Sequence, residues 1–366
     1  MDTRKNIDTP DQLDAFLTGG TGFVGRWLLR SLTASGKRVG VLMRGSETRV
    51  AELRAWLDEH QGDGALLSPF SGDLAAPGLG LSTEDADRLA QTPFFFHFGA
   101  AFGWGLDPDL AYRANVAGSR ELVALAGRSA RLERILYPSG FMVAHAERWR
   151  ALDIPDDPDG PAEHWRRLYH KLGAYEASKY QAHLAITQAV AAADLPLTLV
   201  HPAAAAGYSL TGEIDPAQGF AQLVQQVVDR KLAAVPGGAD DWLPIVAIDY
   251  LAEFCARVVE LPEAVGQEYV LLDQRSPRLL EMVTALAEHA GVRAPRRRIP
   301  LGLLRFVLRA GLGRVMGTSH ESLSFIDSLS YDTASADKAA AQMGLEMPPT
   351  RDVMARTAEY VAGMRA

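Results

Sequence analysis

From Leu13 to about Val200 the chain alternates short apolar runs with longer stretches in which apolar positions recur every three or four residues. That alternation predicts parallel strands joined by crossover helices. The runs place strands at Leu13 to Thr18, Arg38 to Met43, Ala65 to Phe70, Pro93 to Phe98, Arg134 to Pro138 and Leu197 to His201. Their cores are β-branched or aromatic with little polar alternation, as expected where helices cover both faces of a sheet. Phe94-Phe-Phe-His-Phe98 reads as a central strand for the same reason. Helices are predicted over Phe23 to Thr33, Thr48 to His60, Thr83 to Ala90, Pro108 to Gly127 and around Glu163 to Ala192. The fold class that follows is α/β, a Rossmann-type doubly wound parallel sheet of six or seven strands.

Beyond His201 the regularity fades into a Gly/Ala/Pro-rich passage, Ala203 to Pro216. A helix, a strand-like stretch near Leu243 to Val246, another helix and a strand at Glu268 to Leu272 come next, and from Ser276 onward helices are separated by Pro and Gly. We expect the Rossmann domain to occupy residues 11–202 with parts of 240–275, and a smaller, mostly helical C-terminal substrate lobe to occupy 203–239 and 276–366.

Composition narrows the field further. The 366 residues are 48% hydrophobic and 22% charged, which describes a globular chain and not a disordered or collagen-like one. A formal charge of -8, from 45 acidic against 37 basic side chains, argues against nucleic acid as a partner. The single cysteine, Cys255, precludes an internal disulfide and a cysteine-based zinc site. The polar stretch Met1 to Pro10 lacks the apolar core of a secretory signal, so a cytoplasmic location is the expectation. No window reads as a membrane span. The amphipathic segment 300–316, carrying Arg305, Arg309 and Arg314, reads as a helix over a pocket, with contact to a membrane surface as the alternative.

Directly after the first strand stands Thr18-Gly-Gly-Thr-Gly-Phe-Val-Gly25, followed at once by an apolar helix. Gly19, Gly22 and Gly25 form G-x-x-G-x-x-G, an arrangement that lets backbone approach a pyrophosphate while the helix N-terminus offers free N–H groups. The candidate cofactor-binding residues of this turn are Gly19, Thr21, Gly22, Phe23, Val24 and Gly25. At the end of the second strand an NAD site usually presents a carboxylate to the adenosine ribose, whereas this chain presents Arg44. A guanidinium there pairs with a 2′-phosphate, so NADPH is the expected cofactor, with NADH as the alternative.

Tyr175-Glu-Ala-Ser-Lys179 lies near the start of an apolar-periodic helix, which puts phenol and ammonium on one face about one turn apart. A fixed cation beside a phenol draws its pKa toward the working range for acid–base chemistry.

With both motifs in view, the sequence resembles the extended short-chain dehydrogenase/reductase superfamily. The blocks Ser71-Gly-Asp-Leu-Ala-Ala-Pro-Gly-Leu-Gly-Leu-Ser82, Phe96-His-Phe-Gly-Ala-Ala101, Asn115-Val-Ala-Gly-Ser119, Ala174-Tyr-Glu-Ala-Ser-Lys179 and Tyr208-Ser-Leu-Thr-Gly-Glu213 are similar to those of the branch containing thioester reductase domains and fatty acyl-CoA reductases. The resemblance spans about residues 13 to 275. It implies that Asp73 and Leu74 border the adenine, that Gly99 and Ala100 line the cofactor cleft with Pro202, and that Lys179 also holds the nicotinamide ribose. His201-Pro202 stands where Arg-Pro is common. Tyr175, Lys179 and Ser139 are the implied catalytic residues. One position departs from the pattern: Leu136-Tyr-Pro-Ser-Gly-Phe-Met-Val143 carries Gly140 where the family has a Ser or Thr that bonds the substrate carbonyl.

Phe102, Trp104, Gly140, Phe141 and Met142 follow strand ends, where loops of such sheets meet ligand, and are the candidate substrate-pocket residues. His145, His164, His170 and His201 show no metal-ligand spacing, and no metal is expected. Arg296, Arg297 and Arg298 read as a solvated loop, with an anion site for a phosphopantetheine or CoA tail as the alternative. The function expected is NADPH-dependent reduction of a carbonyl in a small-molecule or carrier-bound acyl substrate, by a chain that the resemblance implies pairs as a homodimer through the helices beginning near Pro108 and Glu163. The alternatives are nucleotide-sugar epimerisation or dehydration with held NAD, and a cofactor-binding but silent descendant.

Overall fold

The computed structural model describes residues 12–45, 47–307, 323 and 325–364. The polar stretch Met1 to Pro10 and the part of the amphipathic segment beyond residue 307 lie outside the described residues.

Seven parallel strands form one sheet among the described residues: β1 (Ala15–Thr18), β2 (Val39–Met43), β3 (Leu67–Ser71), β4 (Phe94–His97), β5 (Arg134–Pro138), β6 (Leu197–Pro202) and, after three short intervening strands, β10 (Glu268–Leu271), in the order β10-β6-β5-β4-β1-β2-β3. The three intervening strands and β11 make two-stranded pairs: β7 (Ala204–Ala206) with β9 (Ile245–Ala247), and β8 (Val235–Pro236) with β11 (Arg298–Ile299). The order reverses between β1 and β4, so the crevice where such folds bind ligand opens at the carboxyl ends of these two strands.

Side-chain alternation divides the interior into two cores. Ala15, Leu17, Phe94, Phe96 and Leu136 point into one, and Phe16, Phe95, Ile135 and Tyr137 into the other. Phe94 to His97 is therefore central because it feeds apolar rings to both faces, as its sequence predicts.

The helices are α1 (Phe23–Ala34), α2 (Glu47–Glu59), α3 (Thr83–Arg88), α4 (Pro108–Ala111), α5 (Gly118–Ala126), α6 (Ala146–Leu152), α7 (Ala162–Leu172), α8 (Ala174–Ala192), α9 (Gly219–Val228), α10 (Ile248–Val258), α11 (Leu279–His289), α12 (Leu301–Val307), α13 (Ala334–Gln342) and α14 (Thr350–Gly363). Two predicted helices differ from expectation. The stretch 108–127 is α4 and α5 joined by a π-helical segment, Tyr112–Ala117, and such widened turns frequently accompany functional sites. The stretch 163–192 is broken at Gly173, whose φ of 91° ends α7 and redirects the chain so that α8 begins one residue before Tyr175. Among the described residues no helix is long and apolar enough to cross a membrane.

Candidate active site

Gly19 sits at φ 79°, and a Cβ there would lie 2.5 Å from the Gly99 nitrogen, so the ends of β1 and β4 touch backbone to backbone. A Cβ on Gly25 would meet the Gly19 carbonyl oxygen at 2.1 Å, which lets the first turn of α1 close onto the loop. Gly22 differs: its nearest atom would be 3.4 Å away, and it and Thr21 are exposed. Gly22 is also the N-cap of α1 and offers no capping side chain, so the first N–H groups of the helix face an open cleft. These residues fit a pyrophosphate: tight where backbone must pack, bare where a ligand must approach.

The turn after β4 is held from beneath. The Gly99 N–H donates to Thr18 Oγ1 at 3.0 Å, the Thr18 hydroxyl faces His97 Nδ1 at 2.8 Å, and His97 Nε2 faces Ser119 Oγ at 3.0 Å. Ser119 Oγ in turn donates to the Asn115 carbonyl at 2.6 Å. One tautomer, protonated at Nε2, satisfies this whole chain. Burial, followed by the positive charge of Lys179, pushes the His97 pKa down to about 3, so the ring stays neutral. Ala100 is exposed beside Gly99, and the Leu74 side chain packs against Gly99.

Arg44 is exposed at the end of β2, its guanidinium 3.9 Å from Asp73. Arg49 of α2 donates to the Arg44 carbonyl at 2.7 Å and lies along Gly45. Arg49 is thus a second cation beside Arg44, marked in the sequence only by its place early in the helix that follows.

Tyr175 and Lys179 share one face of α8, and Asn115 supports that helix. Asn115 Nδ2 donates to Ser178 Oγ at 2.9 Å and to the Ala101 carbonyl at 3.1 Å, while its Oδ1 accepts from the Ala101 N–H at 2.7 Å. The Lys179 ammonium donates to the Pro138 carbonyl at 2.7 Å and lies 4.9 Å over the Tyr137 ring. Burial lowers the Lys179 pKa to about 7 and raises that of Tyr175 to about 12. The expected drawing-down of the phenol by its neighbouring cation is not what governs it: burial does, and it keeps the Tyr175 phenol protonated at neutral pH.

Tyr175, Ser139, Gly140, Phe141, Met142, Phe102, Trp104, Pro202 and Val24 line one cavity. Every candidate substrate residue thus meets the candidate phenol there. Ser139 is 4% exposed, and its hydroxyl has no hydrogen-bond partner among the described residues. Gly140 has φ 151°, and a Cβ there would press on the Met142 sulfur at 2.7 Å, so a Ser or Thr would strain this turn. The cavity continues past α9, where Gln218, Gln222 and Gln226 face it, to apolar walls from Leu232, Leu243, Leu251, Leu323, Phe325 and Ile326. Those distal walls were not foreseen, since they come from four separate parts of the C-terminal region. Trp104 Nε1 donates to Gln222 Oε1 at 3.2 Å, joining two of the lining residues.

The remaining candidates lie elsewhere. His170 lines a separate groove with Tyr112, Trp165 and Tyr169, and His164 bonds the Asp153 carbonyl. The His145 ring stands 5.3 Å from that of Tyr331.

Comparison with known proteins extends the picture. Residues 17–255 match the family model described as male sterility protein. A dihydroflavonol 4-reductase-like protein of Synechocystis sp. is 27% identical over 356 residues, covering 93% of this chain and 92% of that protein. The non-canonical nonribosomal peptide synthetase FrzA of Cladobotryum sp. is 26% identical over 283 residues, and the match spans 74% of this chain but only 27% of the synthetase. Among solved structures, the terminal R domain from the myxalamid PKS-NRPS biosynthetic pathway superposes with a TM-score of 0.76 over 97% of this chain and 92% of that one, at 23% identity, a likeness of fold.

Proposed function

The chain belongs to the male sterility protein family and is an NAD(P)-dependent oxidoreductase of the extended short-chain dehydrogenase/reductase type, and from that premise we propose that it is an NADPH-dependent reductase of an acyl thioester, aldehyde or ketone with an apolar tail. The observation that carries this reading is that Tyr175 and Ser139, whose buried hydroxyl has no hydrogen-bond partner among the described residues, line one apolar cavity together with Val24 of the glycine turn.

Gly19, Gly22 and Gly25 with the α1 N-terminus would hold the pyrophosphate, Arg44 and Arg49 the 2′-phosphate, Asp73 and Leu74 the adenine side, and Lys179 the nicotinamide ribose. When bound, NADPH supplies a hydride to the substrate carbonyl carbon. Ser139 donates a hydrogen bond to the carbonyl oxygen and Tyr175 gives it a proton, a division of labour suited to a hydroxyl held in the wall and a phenol that burial keeps protonated. Gly140 removes the family's usual hydroxyl but shapes the turn that presents the one before it. The apolar far end of the cavity excludes water and receives the tail. Likeness to the myxalamid R domain and to FrzA supports a carrier-bound acyl group as substrate. Self-pairing through α4, α5, α7 and α8 belongs to the same proposal, with light scattering as its check.

The test is NADPH oxidation against acyl-CoA, aldehyde, ketone and nucleotide-sugar compounds, run beside Tyr175→Phe. Turnover confined to nucleotide sugars, or unchanged in Tyr175→Phe, would overturn the reading.

A further inference from the structure

His201, at the end of β6, is 1% exposed. Its Nδ1 lies 3.3 Å from the Gly140 carbonyl oxygen and its Nε2 3.0 Å from Glu268 Oε2 on β10. Both facing groups are acceptors only, since neither a peptide carbonyl nor an ionised carboxylate has a proton to give. A neutral imidazole carries one N–H and would set its other lone pair against an oxygen. The doubly protonated ring donates to both.

We propose that His201 is a positioning residue: as an imidazolium bridging Gly140 and Glu268 it fixes the 139–142 turn and so the direction of the Ser139 hydroxyl. The surroundings support the charge. Glu268 is held below the usual carboxylate range, first by its hydrogen bond with His201. From α8, the His183 ring stands 5.8 Å away, and burial, reinforced by His201, lowers its pKa to about 4, so it brings no competing charge at neutral pH. Lys179 on the same helix acts on His183 and is itself lowered to about 7. Trp149 from α6 packs against His183 and is uncharged. On the turn itself, the Ser139 N–H is tied to the Val200 carbonyl, and the Gly140 carbonyl also accepts from the Val143 N–H at 2.9 Å. His201 takes the second lone pair of that carbonyl and links it to a different strand.

Only the catalytic consequence rests on the reductase reading. The test uses the full chain with isotope-labelled histidine and glycine, His201 being identified by the signal lost in His201→Gln. At pH 7 the ring nitrogen shifts of His201 should report two protons, and Glu268→Gln should remove one and move the Gly140 amide resonance with it. With octanal and NADPH as probes, Glu268→Gln should lower kcat by between roughly tenfold and a hundredfold with little change in KM, the pattern of a misdirected group. His201→Arg, which keeps a permanent cation toward both acceptors, should retain more of kcat than His201→Gln. A neutral His201 at pH 7, or a Gly140 resonance indifferent to Glu268→Gln, overturns the proposal whether or not octanal is reduced. A doubly protonated His201 that moves Gly140 supports it, and absence of turnover in that case counts against the reductase reading alone.

Discussion

Asn115 and Ser178 are joined by a 2.9 Å hydrogen bond that ties the π-helical turn to the helix bearing Tyr175. Through the same side chain the loop after β4 is bonded at both the N–H and the carbonyl of Ala101. Asn115→Leu should strand the N–H and carbonyl of Ala101, while Ser178 keeps its bond to the Tyr175 carbonyl, and lower stability by about 1–3 kcal/mol, read by urea unfolding. Turnover should fall further than cofactor affinity, because Tyr175 loses its support while the glycine turn keeps its own.

Tyr175→Phe and Ser139→Ala address the chemistry directly. Loss of the proton donor should reduce kcat by at least about a hundredfold, and loss of the Ser139 hydroxyl by a similar order. NADPH affinity, followed by fluorescence titration, should be unchanged in both. Full activity in Ser139→Ala would shift the role of carbonyl donor to another group.

Lys179 is charged in the unfolded chain up to its ordinary value of 10.5 but loses its proton near pH 7 when folded. Between these limits the unfolded state binds more protons, so stability rises with pH. Going from pH 7 to pH 9 this group contributes on the order of 2 kcal/mol. Lys179→Met should remove that slope, and the difference between the two chains' urea midpoints at the two pH values measures it. A rise of equal size in both would mean that Lys179 is not the source.

Arg44 and Arg49 stand together at the end of β2. Arg44→Ala should weaken NADPH binding roughly tenfold to a hundredfold and leave NADH nearly unaffected, with Arg49→Ala showing a smaller effect of the same sign. Calorimetric titration with each nucleotide decides the matter. Equal losses for both would assign these side chains a structural role only.

Gly140→Thr restores the family's hydroxyl in the sequence but not in space. The positive φ costs about 1–3 kcal/mol for a non-glycine residue, and the new Cβ would displace Met142. Activity is expected to fall, and thermal unfolding to come earlier.

Much of this was legible in the sequence because short-range physics writes it there. Strand cores are continuous apolar runs, and the turn needs glycine at Gly19 and Gly25 to avoid backbone collisions that any observer of spacing can anticipate. The break at Gly173 was also signalled, by His170 and Lys171 just ahead of a glycine, yet the apolar period running on into α8 hid it. The supporting role of Asn115 was not readable, since its partners Ala101 and Ser178 are brought to it only by the packing of the π segment on α8. His97 was concealed in an aromatic run, although it holds the Thr18 hydroxyl that accepts from the Gly99 N–H. The distal cavity walls depend on long-range assembly of α9, α10 and the segment around Phe325, for which no local pattern exists.

Arg148 bonds Glu176, the residue after Tyr175, and Asp327, the residue after Ile326, each at 3.0 Å. One guanidinium thus couples the phenol's helix to the cavity wall formed by Phe325 and Ile326. Anyone refitting the cavity for bulkier compounds would find that this wall and the Tyr175 helix move as one piece: enlargements are best cut away from that clamp, at Leu223 on α9.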